Sequence, residues 1–99
     1  MTDVLLKATA LSNAMRLQIL ERLKAPAKYF GPEHPFDETE GVCGLYIAEN
    51  LGISPATASV HLKILTQAGF VRPLRKGKFT YFKRVDTAFA DLARALEDI

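Results

Sequence analysis

Cysteine is nearly absent from this sequence, since Cys43 is the only one among 99 residues. One cysteine excludes an internal disulfide bond and cannot by itself form a structural zinc site. Long apolar stretches are also absent, and none approaches the roughly 20 residues that a membrane-spanning helix needs. The amino-terminal MTDVLLKATA lacks the basic region, apolar core and cleavage site of an export signal. These absences predict a cytoplasmic protein that makes no membrane contact.

The patterns of common enzymes are missing as well. The chain has no glycine-rich phosphate loop and no paired nucleophile and base, so we expect neither enzyme activity nor a cofactor. His34, beside Glu33, could join Cys43 in a metal site, but two candidate ligands do not define one and we predict no bound metal. His61 is expected to pack beside a helix core or to contact phosphate.

Charge is sorted by region along the chain. Residues 50–85 include no acidic side chain, and residues 33–49 include no Lys or Arg. The basic residues of the first region are Lys63, Arg72, Arg75, Lys76, Lys78, Lys83 and Arg84, and the acidic residues of the second are Glu33, Asp37, Glu38, Glu40 and Glu49. A basic region of this kind is typical of proteins that bind a polyphosphate such as duplex DNA.

The segment from Cys43 to Phe70 predicts two short helices joined by a tight turn. In the first helix Leu45, Ala48 and Leu51 recur at the spacing of one helix face, and Gly52 follows at the capping position.

The second helix is predicted to begin at Pro55, with Ser54 as its cap, and to stop at Gly69. Its apolar stripe comprises Ala58, Leu62 and Leu65, and the opposite face comprises Ala56, Ser59, Val60, Lys63 and Gln67. Two short helices joined in this way form a helix-turn-helix, whose second helix commonly enters the DNA major groove.

Three further helices are predicted around this pair. Asp3 can cap an apolar helix that ends at Leu11, and Asp86 or Thr87 starts a final helix. Between them, Ser12 or Asn13 caps a second helix. Its core side comprises Met15, Leu17, Ile19, Leu20 and Leu23, and its water-facing side comprises Arg16, Glu21, Arg22 and Lys24. The final helix has one apolar stripe of Phe89, Leu92, Leu96 and Ile99. A proline-containing loop from Ala25 to Glu40 could line an effector pocket, brace a dimer or be an inert insertion.

The chain after Gly69 has the pattern of a β-hairpin. Gly77 can adopt the positive φ that a hairpin turn requires, although a two-residue and a three-residue turn both fit and leave the register open. Pro73 cannot donate to a ladder, so its strand should be hydrogen-bonded on one side only there. The predicted fold class is mainly α with a small β-hairpin wing, a winged helix-turn-helix, in one DNA-binding and dimerisation domain over residues 1–99.

At this point the sequence resembles the arsenic-repressor (ArsR/SmtB) family of bacterial winged-helix regulators. The resemblance rests on LSNAMRLQILERL, on IAENLGISPATASVHLKILTQAGFV and on RPLRKGKFTYFKRV. It implies a homodimer, paired through its first and last helices, that binds a palindromic operator as a repressor and leaves it when an inducer binds. The apolar segments 4–11 and 89–99 support a dimer independently, since they carry more apolar surface than a small monomer readily covers.

Two departures from the family pattern bear on the inducer that the protein senses and on the operator that it binds. Gly41, Val42 and Cys43 stand where metal-sensing members have a Cys-Val-Cys pair, and residues 86–99 include no histidine. A metal sensor of either familiar type is therefore not expected. The inducer stays unidentified, with a small molecule and a redox signal as its candidates. Pro55, Ala56 and Val60 replace polar residues usual in the recognition helix, so we expect a different operator.

The predicted DNA contacts lie on the second helix of the pair and on the wing. Thr57, Ser59 and Lys63 would bond base edges or phosphates, and Ala56 and Val60 would contact thymine methyl groups. The remaining predicted contacts are Ser54, Arg72, Arg75, Lys76 and Lys78, with the wing residues on phosphate or in a minor groove. The alternative is a winged-helix protein-interaction module in which these are solvated faces and the basic hairpin binds an acidic partner protein.

Cys43 has two interpretations. At the start of a helix beside a long loop, a thiol can ionise and respond to oxidants or electrophiles. A lone cysteine is also often a buried packing residue, and we favour this interpretation because neither a basic neighbour in sequence nor a second cysteine is present.

Overall fold

The protein is mainly helical with a small sheet, as expected of a winged helix-turn-helix. The computed structural model describes residues 2–99. Its elements are α1 (Thr2–Leu11), α2 (Ala14–Lys24), α3 (Pro26–Tyr29), β1 (Val42–Cys43), α4 (Gly44–Leu51), α5 (Pro55–Gln67), β2 (Val71–Lys76), β3 (Phe79–Arg84) and α6 (Thr87–Glu97). None of the helices in this range is long and apolar enough to cross a bilayer.

The turn between α4 and α5 forms as its residues predict. Gly52 adopts φ +68°, where a residue with a side chain would be strained, and it ends α4. The Ser54 hydroxyl accepts a hydrogen bond from the backbone N–H of Thr57, and Pro55 occupies the first position of α5. The stripe Ala58, Leu62 and Leu65 is buried. These local interactions determine where α5 begins and which of its faces is exposed to solvent.

Three details of helix packing differ from the prediction. Leu45 is exposed, because the buried face of α4 is centred on Ile47 and Ala48 instead. Leu17 on α2 is likewise exposed. Asp3 lies inside the first turn of α1, where its carboxylate accepts a bond from Lys7 Nζ (3.4 Å) instead of capping the helix.

Arg16 was expected to face water, yet only 9% of its surface is exposed. Its Nε donates to the carbonyl of Ala10 (2.6 Å) and an Nη group donates to that of Thr9 (3.3 Å). The last carbonyls of a helix have no partner within the helix, so a cation that binds them is stabilised there. The prediction was wrong because burial of this guanidinium is supported by the end of α1.

The sheet has three antiparallel strands in the order β1-β3-β2. Lys76 pairs with Phe79, so a two-residue turn of Gly77 and Lys78 joins β2 to β3 and settles the register. Pro73 lies on an edge strand, as its missing donor requires. Strand β1 and the four-residue α3 were not predicted; both lie in or next to the segment expected to be a loop.

The hydrophobic core lies where α2, α4 and α5 meet the base of the sheet. Its largest fully buried side chains are Phe70, Ile19, Ile47, Leu62, Leu65 and Val42. Phe70, at the end of the helix-turn-helix, packs against Phe89 of α6 with the rings tilted by 42° and 4.9 Å between their centroids. This core holds α5 and the wing in a fixed relative position, with their outer surfaces free.

Candidate nucleic-acid interface

The outward face of α5 carries all the sequence-predicted contacts of that helix. Each of the five side chains is exposed to solvent in this chain: Ala56, Thr57, Ser59, Val60 and Lys63. This face lies opposite the stripe of Ala58, Leu62 and Leu65 that anchors α5 to the core. The face combines hydroxyl donors, one cation and small apolar groups, which suits base edges and thymine methyl groups in a major groove.

Ser54 is also exposed, but its hydroxyl has partners already. Its oxygen accepts the Thr57 backbone N–H (3.1 Å) and its proton is directed to the Thr57 side-chain oxygen (2.9 Å). The hydroxyl therefore stabilises the start of α5. A DNA contact by Ser54 would have to use its remaining acceptor capacity or its backbone.

The wing presents its predicted cations on different faces. Because side chains alternate along a strand, Arg72 and Lys76 lie on one face of β2 and Arg75 lies on the face that continues from buried Val71. Lys78 lies in the two-residue turn. Arg75 donates from Nε to the carbonyl of Gly77 (2.8 Å), which holds its guanidinium at the tip of the hairpin. The four wing cations are thus not equivalent.

Lys76 faces the acidic loop. Its ammonium group is 2.7 Å from a carboxylate oxygen of Glu40 and 5.0 Å from the centroid of the Tyr81 ring. The hydrogen bond with Glu40 raises the pKa of Lys76 above its ordinary value, so the charged pair is favoured. A phosphate would have to displace this carboxylate, and Lys76 is therefore a weaker candidate for a DNA contact than Arg75 or Lys78.

Two lysines of the wing bind the long loop. Lys76 pairs with Glu40, and Lys83 donates from Nζ to the backbone carbonyl of Glu38. The Asp37 carboxylate accepts the backbone N–H groups of Glu40 (2.8 Å) and Thr39 (2.7 Å), and these bonds hold its pKa below the ordinary value. Within this chain the loop braces the wing, which is not one of the three roles predicted for it.

Cys43 lies in β1 and directly precedes α4, with 4% of its surface exposed. Such burial is what the packing interpretation requires. His34 pairs through Nε2 with Glu49 (3.1 Å) and lies against the Tyr46 ring (5.5 Å between centroids). Within residues 2–99, no group of three or more His, Cys, Asp and Glu side chains could hold a metal ion.

Sequence reasoning missed the role of Arg16 in positioning α5. The residue precedes the buried Ile19 and Leu20 by three and four positions, so the helical period already placed it on the apolar face. The charge of the side chain, by contrast, predicts exposure to water. Arg16 binds His61 on α5, a contact that no spacing within either helix could reveal.

The family and one relative were identified by comparison with known proteins. The model of the family described as "bacterial regulatory protein, arsR family" matches residues 42–72, the region of the helix-turn-helix and the first wing residues. The chain is 45% identical over 89 residues to the uncharacterized HTH-type transcriptional regulator YbzH of Bacillus subtilis (strain 168). The match covers 89% of this chain and 89% of that protein.

Solved structures show the same fold. A homodimeric winged helix-turn-helix DNA-binding domain from Mycobacterium bovis is 25% identical and superposes with a TM-score of 0.69, covering 98% of this chain and 80% of that one. An ArsR-like transcriptional regulator from Rhodococcus sp. RHA1 gives a TM-score of 0.71 at 22% identity, covering 98% of this chain and 78% of that one. The second likeness concerns the fold alone.

Proposed function

Because this chain belongs to the arsR family of bacterial regulatory proteins and is a transcriptional regulator with a winged helix-turn-helix DNA-binding domain, we propose that it is a homodimeric repressor in the cytoplasm. It binds a palindromic operator and leaves it in response to a signal. The observation that carries this proposal is the exposed face of α5, which includes Lys63, together with the wing-turn cation Lys78, which lines one cleft with Ser59 of that helix. We propose no catalytic role.

The dimer would form through α1 and α6. These helices pack against each other, and large apolar side chains are exposed on them and just after α6: Leu5, Leu6, Leu96 and Ile99. Leu5 is 67% and Ile99 is 71% exposed in the single chain, which is costly in water. A two-fold axis would bury this face against its own copy and place two α5 helices on one side of the dimer. The homodimeric state of the Mycobacterium bovis domain supports a dimer of this chain.

The repressor role is the one that the resemblance to the arsenic-repressor family implies. A regulator of this kind would act by occupying promoter DNA.

Selection of bound sequences from random duplex DNA tests the proposal. We expect an inverted repeat whose half-sites lie about one helical turn, or a multiple of it, apart. Recovery of DNA without any shared sequence would contradict operator recognition.

Substitution of Lys63 tests the recognition face on the selected duplex. Lys63→Ala should weaken binding by about 30- to 25,000-fold, because the homodimer loses two base contacts and each contributes about 1 to 3 kcal/mol. Lys24→Ala is the matched control, since it removes the same charge from an exposed position on α2. Equal affinity of the two variants would place the interface elsewhere.

A second candidate is a protein-interaction module that binds an acidic partner. It is favoured by the carboxylate of Glu40 on Lys76, which shows that this side of the wing accommodates an acidic side chain. Competition between the selected duplex and poly-glutamate at equal charge concentration separates the two. A regulator of DNA should prefer the duplex, whereas the alternative requires the polypeptide to bind at least as well.

A further inference from the structure

A cleft of about 380 Å³ lies between the start of α4, the first half of α5 and the wing. Its walls include Leu45 of α4, Leu62 of α5, and Phe79 and Phe82 of β3, and its rim includes Ser59 and Lys78. We call it the helix–wing cleft. Cavities of about 300 to 1,000 Å³ with apolar walls and a few polar groups are typical of small-molecule sites.

Two of the apolar side chains that line the cleft are exposed to water, and the packing of the fold does not explain their exposure. Leu45 is 46% and Phe79 is 42% exposed, although they belong to different elements and meet at one concavity. Neither side chain is among the proposed DNA contacts, and the phosphate backbone that the wing is proposed to contact offers them no apolar partner. A ligand with an apolar body would remove both from water.

Lys78 provides the polar side of the cleft. It lies in the turn between β2 and β3, at the rim, and has no acidic partner within 4.0 Å among residues 2–99, unlike Lys76. A cation at the mouth of an apolar pocket favours a ligand that ends in an anionic group. We propose that the helix–wing cleft binds a small organic anion with an aromatic or aliphatic body, and that this ligand is the signal that releases DNA.

The release follows from shared residues. Ser59 and Lys78 form the rim of the cleft and are also among the proposed DNA contacts. A ligand seated there would occupy Lys78 and separate the wing tip from the duplex. This regulatory step rests on the proposed function, whereas binding of the anion to the cleft does not. A ligand that binds only the free protein weakens apparent DNA affinity in proportion to its concentration above its Kd.

The probe for the first test is 8-anilinonaphthalene-1-sulfonate, which has two aromatic groups and a sulfonate. Its fluorescence is titrated with the DNA-free protein. Leu45→Glu places a carboxylate in the cleft and should weaken binding on the order of tenfold or more. Leu74→Glu is the matched control, because Leu74 is exposed on the same wing but does not line the cleft, and it should leave the affinity unchanged.

A second comparison does not depend on the folding of Leu45→Glu. Lys78→Gln keeps the apolar walls and removes the charge, so it should weaken binding of the sulfonate probe. The same variant should bind N-phenyl-1-naphthylamine, the uncharged analogue, as the wild type does. Equal affinity of wild type, Leu45→Glu and Lys78→Gln for the sulfonate would overturn the proposed site. So would loss of binding in Leu96→Glu alone, which would assign the probe to the α1–α6 face.

The second test asks whether the anion releases the selected duplex. The sulfonate probe should lower DNA affinity of the wild type and of Leu74→Glu, and should have little effect on Leu45→Glu. Binding of the probe to the cleft without any effect on DNA affinity would contradict its role as the signal. If the protein binds no specific duplex, the proposed function fails while the probe titration still decides the cleft.

Discussion

Arg16 of α2 donates a hydrogen bond to His61 of α5, with 3.2 Å between Nη1 and Nδ1. An arginine side chain has no acceptor, so Nδ1 of His61 accepts the bond and the neutral ring carries its proton on Nε2. The same guanidinium binds the carbonyls of Ala10 and Thr9 at the end of α1. One buried cation therefore connects a helix of the proposed dimer face to the proposed recognition helix.

The contact predicts a loss of stability in mild acid. Burial first, and the charge of Arg16 second, lower the pKa of His61 below its ordinary value near 6.5. At a pH between the two pKa values, His61 is protonated in the unfolded chain and neutral in the folded protein. The free energy of unfolding should be independent of this group above about pH 6.5 and should fall as the pH drops from there towards the lowered pKa. Urea unfolding at a series of pH values measures it.

His61→Gln provides the reference, because its amide oxygen can accept the Arg16 bond but does not titrate. The difference in unfolding free energy between wild type and variant should decline in acid and level off above about pH 6.5. A difference that stays constant from about pH 5 to about pH 8 would show that His61 is not linked to folding through its protonation.

The wing predicts the salt dependence of DNA binding. Arg75 and Lys78 lie at the hairpin tip, whereas Lys76 is held by Glu40. Replacing both Arg75 and Lys78 with Gln should reduce the slope of log affinity against log salt by about 4, because the homodimer then loses four phosphate contacts and each accounts for about 0.9. Lys76→Gln should change the slope by less than about 1. Titrations at several salt concentrations measure both, and an unchanged slope in the double variant would remove the wing tip from the interface.

The helix-turn-helix could be predicted from the sequence because its signals are local. Gly52, Ser54 and Pro55 act within one turn of the chain, and the period of Leu62 and Leu65 is a property of one helix. Each residue's conformational preference therefore agrees with its place in the fold. The same holds for the hairpin around Gly77.

Contacts between distant segments could not be predicted in this way. Glu40 and Lys76 are separated by 36 positions, and nothing in the neighbourhood of either residue selects the other. Strand β1 has only two residues and exists because Val42 pairs with Phe82. The burial of Arg16 likewise depends on the end of another helix. The sequence therefore predicts the exposed face of α5, but it does not predict the contacts of Glu40 and β1 that hold the loop against the wing.

Gly41 predicts how strongly the loop is fastened to the wing. It has φ +94°, and a Cβ atom there would lie 1.9 Å from the carbonyl oxygen of Phe82. Gly41→Ala should therefore lower the free energy of unfolding by about 2 to 5 kcal/mol, since backbone strain and forced separation of β1 from β3 add.

Gly77→Ala separates the two contributions. Gly77 also has a positive φ, +60°, but a Cβ there would meet nothing within 4 Å. Only the strain of about 1 to 2 kcal/mol should remain. Urea unfolding of both variants gives the comparison, and equal losses would mean that the contact with Phe82 relaxes without cost.

Leu5 on α1 predicts the strength of the dimer. A two-fold axis would bury both copies of Leu5, and burial of one leucine contributes about 1.5 to 3 kcal/mol. Leu5→Glu should therefore raise the dimer Kd by about a hundredfold to ten-thousandfold, which sedimentation equilibrium measures. Val60→Glu is the control, because Val60 is comparably exposed but lies on α5. It should leave the dimer intact while DNA affinity falls, whereas weaker association of Val60→Glu than of Leu5→Glu would place the dimer interface on the recognition face.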